Sequence, residues 1–232
     1  MNKNEIFSEQ PSEEILPKGH SRRSFLGLAG GLLAVGSLFN ASCDNKDNNP
    51  NPEGVLLTQD DTGILNYAYA LKQLEAAFYQ KIFDKGVYDT ATSEEIALLT
   101  DIRDHEVAHR ELLKAILGSK AIDALSFNFV GINFKDKKAV LDTAKLLEDI
   151  GVSGINGVAV HVVNTDYLKL LGKIASVEAR HAAYIRDLLI DGTFASGDAQ
   201  VGMNGLEMSK NPSVVLAAAS TFITTQIINR LP

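Results

Sequence analysis

Val177-Glu178-Ala179-Arg180-His181 decides the fold, because it places a carboxylate and an imidazole in the middle of an apolar helical stripe. On a helix, Glu178 and His181 share one face with three apolar side chains, Leu171, Ile174 and Ile185. Such a stripe is normally buried, and a buried charged group needs a partner. The stretch therefore predicts that Glu178 and His181 meet matching groups from other helices.

A second stripe of the same kind lies upstream. It belongs to a helix predicted to start at the capping box Thr92 to Glu95 and to end near Leu117. Glu106 and His109 interrupt its apolar face, again three residues apart. The apolar members of this face are Leu99, Ile102 and Leu113.

Two further helices each carry one glutamate on the apolar face. Glu75 lies in a helix predicted over 58–85, and Glu148 lies in one predicted over 137–163. The sequence separation from each of these glutamates to the next Glu-x-x-His glutamate is nearly equal, so the first two helices repeat as the last two. The sequence therefore predicts a pseudo-twofold bundle with four glutamates and two histidines at its centre.

The connections between the helices define the topology. Residues 118–136 alternate roughly between apolar and polar side chains and are long for a helix-to-helix loop, which predicts an extended crossover. The fourth helix is predicted over 165–190. An apolar stretch at 214–228, too short to span a bilayer, is predicted as a fifth helix that closes one end of the bundle. The fold class is therefore all-α, a four-helix bundle with a long crossover between helices 2 and 3 and a short C-terminal helix.

Gly151, Gly154 and Gly157 recur every three residues in the third predicted helix. Each glycine costs about 1 kcal/mol in a helix interior, so the repeat needs a reason. No strand precedes these glycines, and their spacing differs from that of a dinucleotide-binding loop. We interpret them as positions of close helix packing.

The polar groups at the centre predict a metal site. Four carboxylates in a core would repel one another and lose their hydration, and two divalent cations would balance their charge. Glu from two helices and Glu-x-x-His from two others is the ligand pattern of di-iron and di-manganese bundles, and such donors suit iron or manganese. The expected ligands are Glu75, Glu106, His109, Glu148, Glu178 and His181.

Within this set, Glu106 and Glu178 are expected to bridge the two ions, and Glu75 and Glu148 to be terminal ligands. The alternative is that these positions face solvent, or that the site is a metal-free relic satisfied by protonation and hydrogen bonds. Two neighbours are interpreted more plainly. His105 points about 100° away from Glu106 and is no ligand, and Tyr79 is expected to pack with its hydroxyl in water.

The segments Leu147–Val152 and Val177–Ala183 resemble the ferritin-like domain family of exported proteins that includes desiccation-related proteins. The resemblance extends from about Leu56 to Leu189 and implies a ferritin-like four-helix bundle with a dinuclear metal site. Members of the wider superfamily include ferroxidases, peroxide-reducing rubrerythrins, manganese catalases and oxygenases. The fold alone therefore does not select an activity.

Residues 1–42 are expected to be an export signal and no part of the fold. Arg22 and Arg23 precede the short apolar run 26–39, which is the layout of a twin-arginine signal. That run is too short to span a bilayer as a helix. Twin-arginine export carries folded proteins, which suits a chain that acquires its metal before crossing.

Cys43, the sole cysteine, ends the apolar run and resembles the acylated cysteine of a lipoprotein, although Asn40 departs from the usual pattern. Ordinary cleavage nearby and an uncleaved anchor are the alternatives. The expected organisation is a signal at 1–42, a flexible tether at 43–56, the bundle at 57–192 and a C-terminal loop and helix at 193–232.

Charge and site together predict the function. The formal net charge of −7 and a pI of about 5.2 argue against a nucleic-acid partner. We expect an envelope or periplasmic protein, held to the membrane through Cys43, that oxidises ferrous iron or reduces oxygen or peroxide at two iron or manganese ions. The alternative is a non-enzymatic stress-protection or interaction bundle with a structural or vestigial metal site. Monomer and homodimer are both compatible with the sequence.

Overall fold

The structure, a computed structural model, describes residues 54–195, 201–202 and 204–232. The predicted export signal with Arg22 and Arg23, and Cys43 with most of the tether, lie outside these residues. The elements are β1 (Val55–Leu57), α1 (Asp61–Asp84), α2 (Ser93–Leu117), a 3-10 turn (Gly118–Lys120), α3 (Lys137–Ala159), α4 (Thr165–Leu189), α5 (Pro212–Ala219) and β2 (Ile227–Asn229). None of the helices described is long and apolar enough to span a membrane.

The four long helices form the predicted bundle. Helix α1 packs mainly against α2, α3 packs mainly against α4, and α1 also contacts α3. Each helix begins at a polar residue whose side chain accepts a backbone hydrogen bond from the first turn, and these residues are Asp60, Thr92, Asp136 and Asn164. The interrupted apolar stripes are buried as predicted, with only His109 reaching partial exposure. The four-helix architecture is thus confirmed.

Helix α1 has almost no solvent-exposed face in its first four turns. Every residue from Gly63 to Ala76 is buried, although a bundle helix usually keeps one side in water. The extra cover comes from the connector between α2 and α3. In order along α1, the contacts are Asn66 with Ile122, Gln73 with Leu125, and Phe78 with Phe129 and Phe134. The connector therefore runs back along the bundle, as predicted for a crossover.

The C-terminal segment differs from the prediction. The fifth helix ends at Ala219 instead of continuing to residue 228, and the chain then becomes extended. Ile223 forms an antiparallel bridge with Phe127 of the crossover, and β2 pairs in parallel with β1. The residues after Ala219 are rich in Thr and Ile, which disfavour helix and pack well in strands when a partner is available. Strand β1 begins at Val55, two residues before the start expected for the bundle.

The glycine repeat in α3 confirms the packing interpretation. A Cβ at Gly154 would lie 2.5 Å from the hydroxyl oxygen of Tyr67, and one at Gly157 would lie 1.9 Å from the carbonyl oxygen of Lys210. Both distances are far inside van der Waals contact. Glycine at these positions lets α1 and the segment before α5 approach α3 closely.

Gly157→Ala is expected to lower the free energy of unfolding by about 1–3 kcal/mol, because the added methyl group meets a backbone carbonyl that cannot rotate away. Gly172 in α4 is the matched control, since a Cβ there would meet nothing within 4 Å. Gly172→Ala should stabilise by about 0.5–1 kcal/mol through helix propensity alone. Urea unfolding of both variants measures the difference, and two changes of the same sign would contradict the packing account.

Candidate metal centre

The four long helices bring one carboxylate each to the same point in the bundle. Glu75 from α1, Glu106 from α2, Glu148 from α3 and Glu178 from α4 are all at most 1% exposed. Ligand atoms of Glu106, Glu148, Glu178 and His181 lie within 4.8 Å of one another, which is close enough to hold one metal ion. Four of the six expected ligands therefore form one group, and Glu75 and His109 are not among its members.

The two histidines reach across the bundle. His181 Nδ1 lies 2.9 Å from Glu106 Oε1 and 3.5 Å from Glu148 Oε2. His109 Nδ1 lies 3.0 Å from Glu178 Oε1 and 3.9 Å from Glu106 Oε1. Each histidine thus faces the glutamate of the other Glu-x-x-His helix, which is the relation that the pseudo-twofold repeat predicts.

A lysine that the sequence argument did not include lies inside the cluster. The Lys72 side chain is completely buried, and its Nζ forms ion pairs with Glu75, Glu106 and Glu178. Lys72 stands one turn before Glu75 on α1, so the two share a helix face. That spacing was a usable signal, but lysine is rarely fully buried, and a bundle helix usually keeps its lysines in water.

Several potential metal-donor atoms in the cluster are buried and have no well-aligned hydrogen bond. Within the described part of the chain they include Glu106 Oε1, Glu148 Oε2, Glu178 Oε1 and His181 Nδ1, whose close contacts are the carboxylate–imidazole pairs of the two histidines. Four buried carboxylates need compensating positive charge, which Lys72 and His181 supply only in part. Carboxylate oxygens and an imidazole nitrogen are donors that iron and manganese accept. The residues present therefore fit a transition-metal ion.

The charges in the cluster are strongly coupled. Burial alone would lower the pKa of His181, but Glu148 and Glu106 raise it to about 10. Burial raises the pKa of Glu148 to about 7, although His181 opposes this shift. Burial also works to raise the pKa of Glu106, but Lys72 and His181 hold it well below its usual range. Without metal, the histidine and lysine cations therefore balance part of the carboxylate charge.

Two neighbouring side chains support the ligand set. The Tyr79 hydroxyl is buried and donates a 2.6 Å hydrogen bond to Glu148 Oε1, so the expectation that it would be hydrated was wrong. The ring of His105 stacks on His181, with Nδ1 of His105 3.0 Å from Nε2 of His181. His105 is exposed and is not in the ligand cluster, as expected. It fixes the orientation of His181 from the solvent side.

Gly151 shapes the space around the carboxylates. A Cβ at this position would lie 2.5 Å from Glu75 Oε1 and 3.2 Å from Glu178 Oε2. Any larger residue would push one of these carboxylates out of the cluster. The first glycine of the α3 repeat therefore serves the centre, whereas the other two serve packing elsewhere.

The model of the ferritin-like domain family matches residues 60–191, which extend from the start of α1 to just beyond the end of α4. This chain belongs to the ferritin-like domain family. No curated protein matches it. As a ferritin-like domain, it carries in its core a carboxylate–histidine cluster consistent with a metal site.

Proposed function

We propose that this ferritin-like bundle binds redox-active iron or manganese at Glu106, Glu148, Glu178 and His181, and that it oxidises ferrous iron or reduces oxygen or peroxide there. The observation that carries the proposal is the convergence of three buried carboxylates and one buried imidazole, whose ligand atoms lie within 4.8 Å of one another. When bound, the metal would supply one-electron chemistry that no side chain in this core provides.

The side chains around the cluster would prepare it for this role. Tyr79 holds Glu148 in place through its hydroxyl, and His105 fixes the ring of His181. Hydrophobic side chains of all four helices exclude water from the carboxylates, which strengthens their attraction for a cation. His105 is exposed and touches a buried ligand, so it marks the side on which the centre lies nearest to solvent.

Metal analysis of the full chain purified without chelator tests the proposal first. We expect at least one iron or manganese ion per chain, and a lower content would refute metal-dependent chemistry. Ferrous oxidation and peroxide consumption should then be measured on the loaded protein. Metal content without either activity would favour a structural metal.

A non-enzymatic envelope bundle is the second candidate, and Lys72 is the observation in its favour. Its ammonium group already lies among three of the four carboxylates and balances part of their charge without any ion. In that case the protein would act in stress protection or interaction. Thermal unfolding with chelator and with added Mn²⁺ tests the metal-free form of this candidate, because only a metal-binding core should gain stability from the ion.

Metal affinity is expected to rise with pH, because a histidine must lose its proton before it can bind metal. The pKa of His181 is raised to about 10 in the metal-free core, so binding at neutral pH should release a proton. Affinity should increase by up to about tenfold per pH unit for that proton. Calorimetric titration of Mn²⁺ in buffers of different ionisation enthalpy measures the proton release. Binding without proton release would contradict the raised pKa of His181.

We also propose that the protein is exported by the twin-arginine route and anchored in the envelope through Cys43, as an exported ferritin-like protein of the desiccation-related type. The paired arginines Arg22 and Arg23 and the small residues before Cys43 support this. Cys43→Ala should release the protein from membranes, while replacing both arginines with lysine should stop export. Membrane retention of Cys43→Ala would refute the lipid anchor.

A further inference from the structure

The position of Lys72 bears on how many ions the centre holds. In a two-ion site built from the expected ligands, Glu75 and His109 would serve one ion, Glu148 and His181 the other, and Glu106 and Glu178 both. Lys72 Nζ contacts Glu75, Glu106 and Glu178, which are the three carboxylates expected to bind the ion on the Glu75 side. The ammonium group therefore stands where that ion would bind.

The oxygens of the two shared glutamates are divided between the halves of the centre. Glu106 and Glu178 both turn Oε2 toward Lys72 Nζ. Their other oxygens face the imidazoles, with Glu106 Oε1 2.9 Å from His181 Nδ1 and Glu178 Oε1 3.0 Å from His109 Nδ1. Glu106, Glu148, Glu178 and His181 still offer one ligand atom each within 4.8 Å of the others, so one ligand set remains beside Lys72.

Lysine and a metal ion cannot share the Glu75 side. Both are cations, and at contact distances in a buried site their repulsion is strong. Lys72 has no exposed surface through which its charged end could move into water, because every α1 residue from Gly63 to Ala76 is buried. Moving the Lys72 ammonium group into solvent would also leave the buried carboxylates of Glu75, Glu106 and Glu178 without their cation, which is costly.

We propose that the Lys72 ammonium takes the place of one of the two metal ions, so that the chain binds a single divalent cation through Glu106, Glu148, Glu178 and His181. This inference rests on the proposed function, namely that the cluster binds metal. It departs from the two-ion centre expected from the ligand pattern. The centre would be asymmetric, with an ammonium group in one half and a metal ion in the other.

The pseudo-twofold repeat supplies a matched control. The residue one turn before Glu148 is Lys145, which corresponds to Lys72 in the other half of the bundle. Lys145 is only partly buried and lines a surface cavity with Lys138 and Arg186. The same residue at the equivalent position is thus outside the centre. Substituting it tests for loss of a lysine charge without changing the cluster.

The experiment counts ions in the full chain. Wild type, Lys72→Met and Lys145→Met are loaded with Mn²⁺, freed of excess ion and analysed for manganese per chain. Electron paramagnetic resonance then distinguishes isolated Mn²⁺ from an exchange-coupled pair. We expect one isolated ion in wild type and in Lys145→Met, and two coupled ions in Lys72→Met, in which the Glu75 side becomes available.

Each outcome bears on one of the two claims. Two coupled ions in wild type would overturn the inference and leave the proposed metal binding intact. If neither wild type nor Lys72→Met binds an ion, the proposed function itself is overturned. One ion in both wild type and Lys72→Met would show that Lys72 does not fill the second position. If Lys72→Met does not fold, anomalous scattering from a wild-type crystal decides, because an ion beside Glu75 and His109 would refute the assignment.

Discussion

The Glu178→Gln variant is expected to fold but to lose its metal, with affinity reduced by more than about 100-fold. Loss of a group that merely supports a ligand already costs about 10–100-fold, and Glu178 belongs to the ligand cluster itself. Glutamine keeps the size of the side chain and removes its charge. It therefore tests the donor without opening a cavity.

The control for this experiment is another buried glutamate outside the centre. Glu95 is 7% exposed, closes the capping box of α2 and pairs with Lys137. Glutamine also serves at this capping position, so Glu95→Gln should fold and bind metal as wild type does. Equilibrium dialysis against Mn²⁺ gives the affinities. Equal affinity in Glu178→Gln and wild type would remove Glu178 from the ligand set.

Lys72→Met is expected to lower the free energy of unfolding of the metal-free protein by about 3–5 kcal/mol, which is the usual effect of removing one partner from a buried ion pair. Three carboxylates lose their contact with the same cation at once. Part of the cost is offset because burial already raises the pKa of Glu75, which can take up a proton. Urea unfolding in the presence of chelator measures the change.

Added Mn²⁺ should restore much of this stability, since an ion that binds only the folded state contributes about 2.7 kcal/mol at 100 times its dissociation constant. Lys145→Met provides the reference and should lower stability far less than Lys72→Met, because that side chain is partly exposed and outside the cluster. If Lys72→Met leaves the free energy of unfolding unchanged in the presence of chelator, the buried carboxylates do not need the Lys72 charge for stability.

Helix periodicity was sufficient to predict where the ligand groups lie. A residue's place on a 3.6-residue helix determines its face, and burying four such stripes against one another brings their polar members into the core. The start of α2 also followed from a local signal, namely the capping box that begins at Thr92. These features are local in sequence, which explains why they could be read without a structure.

Features that depend on distant contacts were missed. The burial of Lys72 and of the Tyr79 hydroxyl follows from the cover that the crossover gives α1, which no pattern within α1 reveals. The strand after Ala219 required a partner from the start of the bundle, so a local apolar pattern suggested helix instead. In both cases tertiary contacts overrode a local preference.

The pairing of β1 with β2 has a consequence for the order of events in synthesis. Strand β2 follows all five helices described in the sequence, so the strand that opens the domain has no partner until all of them have been synthesised. Helix α1 likewise stays uncovered until the crossover has followed it. The fully covered domain therefore forms only after its last helix has been made. A ribosome-bound fragment that ends after α4 would expose apolar surface, which chaperones bind.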